Sequence, residues 1–510
     1  MIKTMRDLRT WLKQVEEMGE LLTITEELDW DEETSALNYI VGQREGAPAL
    51  LYGKVKDAPA GFRCLHNLFG TSKERIATTF GLPLGRPLTE LIETVRTSFH
   101  RKVPPRIVPA EQAPVNENVV AGHQADITIF PAPKMWPLDG GRYLGTWDVF
   151  ITRDLEDGHL NLGTYRQMVK GPRELFVYWS PGKDARLQAE RYWQRGLSFP
   201  VAAAYGPDPL LFAVASTTLP KTESEYDYAG GLINQPVEVF ESPVTGLLLP
   251  ASAEIIIEGE MRPGNTAREG PFGEFTGYYG RPEAQTPVID VKCVRYRKDP
   301  ILTCALMADY PACEQSLLFS VARSARIWTD LEKLGVPGIR GVFSFPEAAG
   351  GFGATAVSIE QRYPGHASQV ATLAAQVPGG AYYSKFIIVV DDDVDPTDIH
   401  QVFWAMSTRC DPAKDIDILR STWSTWLDPT KNPPEERPYG SKCLINACKE
   451  HKYLKQFARR SRIRREVYEK ILKKWDRLGL KFPPPVIRNF EEDESAPVPQ
   501  VKVESEWEAM

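Results

Sequence analysis

Apolar residues recur at three- and four-residue spacing near the start of the chain. Met5, Leu8, Leu12 and Val15 share one face and Gly19 follows, which predicts a helix over 4–19. A second helix is expected over 33–43. In LLTITEEL between them, Leu22, Ile24 and Glu26 alternate with Thr23 and Thr25, as in a short strand. Thr71 and Glu74 have capping-box spacing ahead of a helix over 72–80, and LTELIETVRTSF predicts another over 88–99. These elements make residues 1–110 a small α/β unit. Seven prolines between Pro104 and Pro137 (104, 105, 109, 114, 131, 133 and 137) read as an extended linker. From about 140 to 305 the pattern turns to short strands: TWDVFITRD, ELFVYWS, LFAVAST, VEVFES and AEIIIEGEM, with Gly, Pro and Asp turns between them. Such a series suggests a barrel or sandwich over 111–310. A long amphipathic helix over 313–335 ends at Gly335. KFIIVV then leads through a polar turn, with Asp395 or Thr397 near the N-cap, into the helix IHQVFWAMSTR. Residues 311–475 are therefore expected to form a second α/β domain, and 476–510 an acidic tail. The expected class is mixed α+β and multi-domain.

Composition narrows the function. The 510 residues are 42% hydrophobic and 25% charged, an ordinary globular balance with room for several cores. A net charge of −8 argues against nucleic acid as a partner. The chain has no apolar run of about 18 residues, so a membrane-spanning helix is not expected, and the charged first turn is unlike a signal peptide. The seven cysteines are scattered without a CxxC, so neither a disulfide framework nor a structural zinc site is expected and a cytoplasmic location is. The histidines are isolated, which makes a His-rich metal site unlikely. GGFGATA (350–356) resembles a dinucleotide loop but precedes strand-like VSIEQRY, not the helix such a loop requires. Asp391, Asp392 and Asp393 are read as a polar turn, with a ligand site at the strand end as the other reading. Residues 449–474 hold eleven Lys/Arg against three acids and are read as a solvated helix with Tyr468, Ile471 and Leu472 as its docking stripe.

Candidate chemistry concentrates in a few stretches. In Arg268–Gly280, Gly270, Pro271 and Gly273 prevent a regular helix, so a tight loop can aim Glu269 and Glu274 into one pocket. Two acids in one site cannot both ionise cheaply, so one becomes a proton donor near neutral pH; the alternative is a surface turn with both solvated. Asn161–Gln167 offers a hard amide oxygen and the planar fork of Arg166. Ser180–Asp184 and Ser224–Tyr226 add Asp184 and Glu225, oxygen ligands suited to Mn²⁺ or Mg²⁺.

In this order, NLGTYRQ (161–167), WSPGKDAR (179–186), SEYDYAGGL (224–232), EGPFGEFTGYYG (269–280) and SKFIIVVDDDVDP (384–396) resemble the UbiD family of reversible decarboxylases, which use prenylated FMN. The resemblance covers most of the chain. It implies a flavin-reductase-like split β-barrel between the small N-terminal unit and a C-terminal α/β oligomerisation domain, with homodimers or homohexamers as the assembly. It implies an Arg166–Glu269–Glu274 catalytic network in which Glu274 is the proton donor. It further implies that Asn161, Leu162, Thr164, Tyr165, Arg166 and Lys183 line the cofactor, with Lys385 reaching its phosphate. Asn161, Glu225 and Asp184 would hold Mn²⁺ or Mg²⁺, with K⁺ near Ser216. Asp184 departs from the family, which commonly has His 23 residues after the Asn. The implied substrate is an aromatic, heteroaromatic or α,β-unsaturated acid, exchanged with CO₂, and a flavin prenyltransferase would supply the cofactor. Phe272, Phe275, Tyr278 and Tyr279 are read equally as pocket walls or core. A flavin oxidoreductase on the same barrel gives no reason for the Arg–Glu–Glu set, and a non-catalytic assembly subunit predicts that the set is broken.

Overall fold

The structure, a computed structural model, describes residues 6–98, 101–180, 182–217, 219, 223–431, 439–454, 456–458, 460–487 and 490. The first helix is Leu8–Glu17, later than the apolar pattern suggests, because the Asp7 carboxylate accepts from Thr10 N and caps it. The expected Thr71–Glu74 capping box does not form. Ser72 caps the helix Lys73–Thr79 by accepting from Arg75 N, Thr71 accepts from Gly46 N, and Glu74 accepts from Gly85 N. A four-stranded sheet runs in the order Leu21–Ile24, Ala49–Tyr52, Arg63–His66 and Ile301–Thr303, so its last strand arrives from the far end of the central domain.

The central sheet is antiparallel and curled into a half-barrel. Its order is Tyr143–Gly145, Gln167–Gly171, Glu174–Phe176, Ala284–Tyr296, Ile255–Met261, Phe199–Tyr205, Asp148–Arg153 and Leu160–Gly163. Alternate residues of one strand feed two cores, as a two-residue side-chain period requires. Val149 and Ile151 enter one and Phe150 the other, and Ala202 and Ala204 separate likewise from Val201 and Ala203. LFAVAST, read as a strand, is instead the end of the helix Pro209–Ala215. Asp208 caps that helix, Pro209 occupies its first position, and Phe212 stacks on Trp147 at 3.9 Å. An apolar run buried all round carries no period, so the cap decides its form. The proline-rich stretch is not simply a linker: Arg106–Ile107 pairs with Glu238–Glu241, and Asn118–Ala121 with Ala284–Tyr296.

The C-terminal sheet has the order Ile339–Ser344, Ala354–Ile359, Phe386–Asp391, Gly440–Ala447 and Ile416–Thr422. Ala354–Ile359 follows GGFG as a strand. The long helix Ser316–Lys333 packs on the first strand and also receives the N-terminal helix Leu88–Ser98, whose Arg96 lies over Trp328 at 4.5 Å. The cap of helix Ile399–Arg409 is Asp398, not Asp395 or Thr397, because the Asp395 carboxylate is occupied by Thr397. The three aspartates serve an ion network. Arg409 bridges Asp391 and Asp393 at 2.7 and 2.8 Å, and Arg462 reaches Asp393 at 2.9 Å. The basic segment is thus tied to the domain by charge. Its helix Arg465–Leu472 buries no residue, and Tyr468 meets Phe490 at 5.3 Å. The acidic residues 491–510 lie outside the described residues.

Glu258, fully buried in the central sheet, accepts from Arg295 at 2.6 Å and from Ser242 and Thr245, while Arg295 also donates to Asn116. Arg295→Ala is expected to strand a buried carboxylate and cost about 3–5 kcal/mol, read as a lowered thermal unfolding midpoint.

Candidate active site

Arg166 sits in the turn between the strands Leu160–Gly163 and Gln167–Gly171, so two sheet strands fix its backbone. Glu269 ends the strand Thr266–Glu269, opposite Ala284. The glycine- and proline-bearing loop then reverses, closed by a bridge between Gly273 and Tyr279 and by Glu274 N donating to Tyr278 O at 2.9 Å. The loop seats on residues 135–140. A Cβ at Gly273 would lie 2.2 Å from Trp136, and one at Gly140 2.3 Å from Gly270 O, so only glycine allows the two segments to meet.

This arrangement brings the three residues together. Arg166 donates from Nε and Nη2 to the two oxygens of Glu269, both at 3.1 Å, and from Nη1 to Glu274 Oε1 at 2.7 Å. All three side chains are at least nine-tenths buried. Glu269 also accepts from the Tyr143 hydroxyl at 3.0 Å. Glu274 has one bond from Arg166 and one from the backbone N–H of Phe275, and its environment acts differently. Burial pushes its carboxyl up, Arg166 pulls it down and the Glu269 charge raises it again, leaving it at about 7. Glu269 is met by Arg166 and Tyr143, and Glu274 is poised to exchange a proton at neutral pH.

Two residues that sequence reasoning missed support this site. Asp139 accepts from the backbone N–H of Gly273 at 2.9 Å, Trp136 at 3.1 Å and Met135 at 3.3 Å; burial raises its carboxyl to about 6 against those bonds. Tyr143 orients Glu269. The turn sequence Leu138-Asp139-Gly140-Gly141 was the available signal for the first; a lone Tyr gave none for the second. Phe272 and Phe275 are buried, whereas Tyr278 is exposed. Phe275 meets Phe352 at 5.3 Å and Tyr383 at 6.2 Å, so the loop touches the C-terminal domain and the site lies between the two.

A second cluster gathers Asn161, Asp184 and Glu225. Burial raises Glu225 to about 7, its own and the Leu162 N–H groups oppose this, and the Asp184 charge adds to it. Leu162 N donates to Glu225 Oε2 at 3.2 Å, and Asn161 hydrogen-bonds the buried Tyr165. Among the described residues no three His, Cys, Asp or Glu side chains group as a metal site, so a cation here would rest on two carboxylates and the Asn161 amide oxygen. Lys183 is solvent-exposed yet surrounded by protein at longer range, as on a cleft wall, and that crowding lowers its ammonium pKa while Asp184 opposes the change. Thr164 is half-buried beside Arg166. Ser216 closes the helix Pro209–Ala215 and donates to Ala213 O. Lys385 stands apart from this cluster, paired with Asp428 at 2.8 Å.

Comparison with known families now bears on the geometry. Three models of 3-octaprenyl-4-hydroxybenzoate carboxy-lyase domains match in order: the N-terminal domain over residues 12–95, the Rift-related domain over 106–310 and the C-terminal domain over 316–447. The chain belongs to the UbiD family. It is accordingly an enzyme of the carboxy-lyase class. Solved UbiD-class structures superpose over nearly the whole chain. Vanillic acid decarboxylase of Sedimentibacter hydroxybenzoicus in its closed form is 28% identical with a TM-score of 0.81, covering 93% of this chain and 99% of its own. HmfF of Pelotomaculum thermopropionicum, in complex with FMN, is 28% identical with a TM-score of 0.79, covering 89% and 97%. The 3,4-dihydroxybenzoic acid decarboxylase of Enterobacter cloacae is 26% identical with a TM-score of 0.79, covering 90% and 97%. Among the described residues, no helix of this UbiD member is long and apolar enough to cross a membrane.

Asp139→Asn is expected to free the loop 270–280. With its oxygen in the Oδ2 place the amide still accepts from Trp136 N and Met135 N but turns its own donor on Gly273 N, a loss of about 1–3 kcal/mol. Amide hydrogen exchange over 270–280 should rise well above that of the unaltered protein.

Proposed function

We propose that this chain catalyses the reversible, non-oxidative decarboxylation of an aromatic, heteroaromatic or α,β-unsaturated carboxylic acid with prenylated FMN as cofactor and Glu274 as proton donor. The observation that carries this reading is the intact, buried Arg166–Glu269–Glu274 set, with the Glu274 carboxyl raised to about 7. A broken set would have favoured an assembly subunit, and a flavin oxidoreductase has no use for it.

The residues fit the cofactor and its cation. Two neighbouring carboxylates, one buried and half-neutral at pH 7, suit a divalent cation that relieves their repulsion, and Asp184 serves where the family commonly has His. Asn161, Asp184 and Glu225 would hold Mn²⁺ or Mg²⁺ at the flavin phosphate, with K⁺ beside Ser216. Leu162, Thr164, Tyr165, Arg166 and Lys183 would line the flavin. Lys385 would reach the phosphate only by leaving Asp428. When bound, prenylated FMN supplies the electron sink that an sp² carbon needs to lose CO₂. The chain's own residues do the rest. Arg166 clamps Glu269 through two bonds and aims Glu274. Glu274, protonated below pH 7, delivers its proton to the carbon that has lost CO₂, and in carboxylation takes it back. Phe275 and the C-terminal residues packed on it exclude water. We read the chain as a homodimer or homohexamer assembled through the C-terminal domain, because Phe403, Trp423, Trp426 and Tyr439 are exposed there; the mass of the purified particle checks this.

The deciding experiment is co-expression with a flavin prenyltransferase, anaerobic purification, and absorbance and mass spectra of the released ligand. Retained prenylated FMN, with CO₂ release from an aromatic acid panel, is the expected result; plain FMN that turns over NADH would reverse the reading. Turnover should fall as pH rises through about 7, where Glu274 loses its proton. Glu274→Gln, which has no proton to give, should lower it by roughly 10²–10⁴-fold. Glu225→Gln should lose bound metal, measured by elemental analysis, together with most of the flavin absorbance.

A further inference from the structure

Glu274 is enclosed from two domains. Arg166 and Glu269 face it from the half-barrel. Leu427 faces it from the C-terminal domain. A Cβ at Gly280 would lie 2.9 Å from Leu427 Cδ2 and 3.0 Å from Glu274 Cγ, so the two side chains converge on one point of the loop 270–280. The Thr276 hydroxyl donates to Leu427 O at 3.5 Å. Leu427 is buried with Phe275, Cys313 and Tyr383 in a small apolar cluster of its own.

Leu427 belongs to a strap, residues 423–431, that follows the strand Ile416–Thr422 and holds no strand or α-helix. It is the strap's one buried apolar side chain, since Trp423 and Trp426 are exposed. Apolar contact therefore holds the strap weakly, and a polar tie sits at the next residue. The Asp428 side chain is 1% exposed, and its Oδ1 accepts from Lys385 Nζ at 2.8 Å and from Thr430 N and Oγ1 at 3.0 and 2.9 Å. Its Oδ2 has no hydrogen bond among the described residues. Thr430 lies in the strap itself, so it shapes the turn without anchoring it. Lys385 is the anchor. Its own N donates to Gly353 O at 2.9 Å and its O accepts from Cys443 N at 2.7 Å, which fixes its backbone between neighbouring strands. The other polar tie is Thr425, which hydrogen-bonds Tyr382. A carboxylate so far from water stays there only while a cation meets its charge.

We propose that Lys385 is a positioning residue: its ion pair with Asp428 fastens the strap 423–431, so that Leu427 stays against Glu274 and keeps water from it. This rests on the proton-donor role given to Glu274 above. Glu274 stands at about 7 because burial outweighs the pull of Arg166. Without Lys385, Asp428 is an unpaired buried charge, the strap lifts to hydrate it, and Leu427 leaves with it. A hydrated Glu274 then ionises closer to the ordinary carboxylate range. Arg166 and Glu269 on the half-barrel and Tyr382 on the C-terminal domain also face Glu274, and all three lie outside the strap. Burial holds the Tyr382 hydroxyl up at about 12, so it stays neutral while Glu274 titrates.

The test follows the Glu274 carboxyl directly, by infrared titration of the holoenzyme on the C=O band that Glu274→Gln removes. Lys385→Met keeps the stem and drops the charge. It is expected to move the midpoint down by roughly one pH unit and to lower kcat above about pH 8 roughly tenfold, with little change in KM. Amide exchange over 423–431 should rise by roughly tenfold or more, with flavin content unchanged. Leu427→Ala should move the midpoint the same way with the ion pair intact, and Lys385→Arg, which keeps the charge, should restore it. A midpoint that stays in place in Lys385→Met, or that moves there but not in Leu427→Ala, overturns the proposal. So does a fall in flavin content on Lys385→Met, which would assign this cation to the cofactor phosphate. A holoenzyme that turns over no acid defeats the decarboxylase reading alone, because the infrared midpoint and the amide exchange need no turnover.

Discussion

Arg166 carries two carboxylates on one guanidinium in a space closed to water, and the site depends on the inequality of that sharing. Glu269 receives two of the three bonds and a tyrosine hydroxyl as well, so its charge is fully met. Glu274 receives one from Arg166 and one from the backbone N–H of Phe275. Burial outweighs these at Glu274 and leaves its carboxyl at about 7. Removing Arg166 would leave two like charges buried together. The proton affinity of Glu274 therefore rests on burial set against its donors in a low-dielectric pocket.

The surrounding fold enforces that balance. Arg166 is held between two strands of the half-barrel, and Glu269 is held by its register opposite Ala284. Glu274 belongs to a loop that would be free to swing if Asp139 did not take the Gly273 N–H and if Gly273 and Gly140 did not allow backbone to meet its neighbour. The far side of the same loop rests on the C-terminal domain: Gly280 abuts Leu427, and Phe275 lies among Phe352 and Tyr383. The loop 270–280 is thus held by residues of two domains.

The paired carboxylates at Asp184 and Glu225 follow the opposite logic. Here, among the described residues, no guanidinium pairs with either acid, and burial, with the Asp184 charge added to it, raises Glu225 to about 7. The two clusters are joined through 161–166, a stretch that carries Asn161 at one end and Arg166 at the other.

The residue types and spacings along the chain were enough to single out Arg166, Glu269, Glu274, Asn161, Asp184 and Glu225, because a Gly–Pro loop between two acids and a rigid NLGTYR segment are local features. The α+β character and most strands were legible for the same reason, since alternation and capping act over a few residues. What required tertiary structure was every choice made by a distant partner. The helix Pro209–Ala215 reads as a strand until Asp208 and the core around Trp147 select the other form. Thr71 reads as a cap until Gly46 claims it. Lys385 is an unassigned cation until Asp428 pairs with it. Asp139 shows locally only as part of a turn, and Tyr143 carries no local signal at all; each matters only because the fold brings it against a loop or a carboxylate far away in sequence. Local propensity and spacing therefore determined the candidate chemistry, and long-range burial and charge pairing decided which groups meet and which carry a proton.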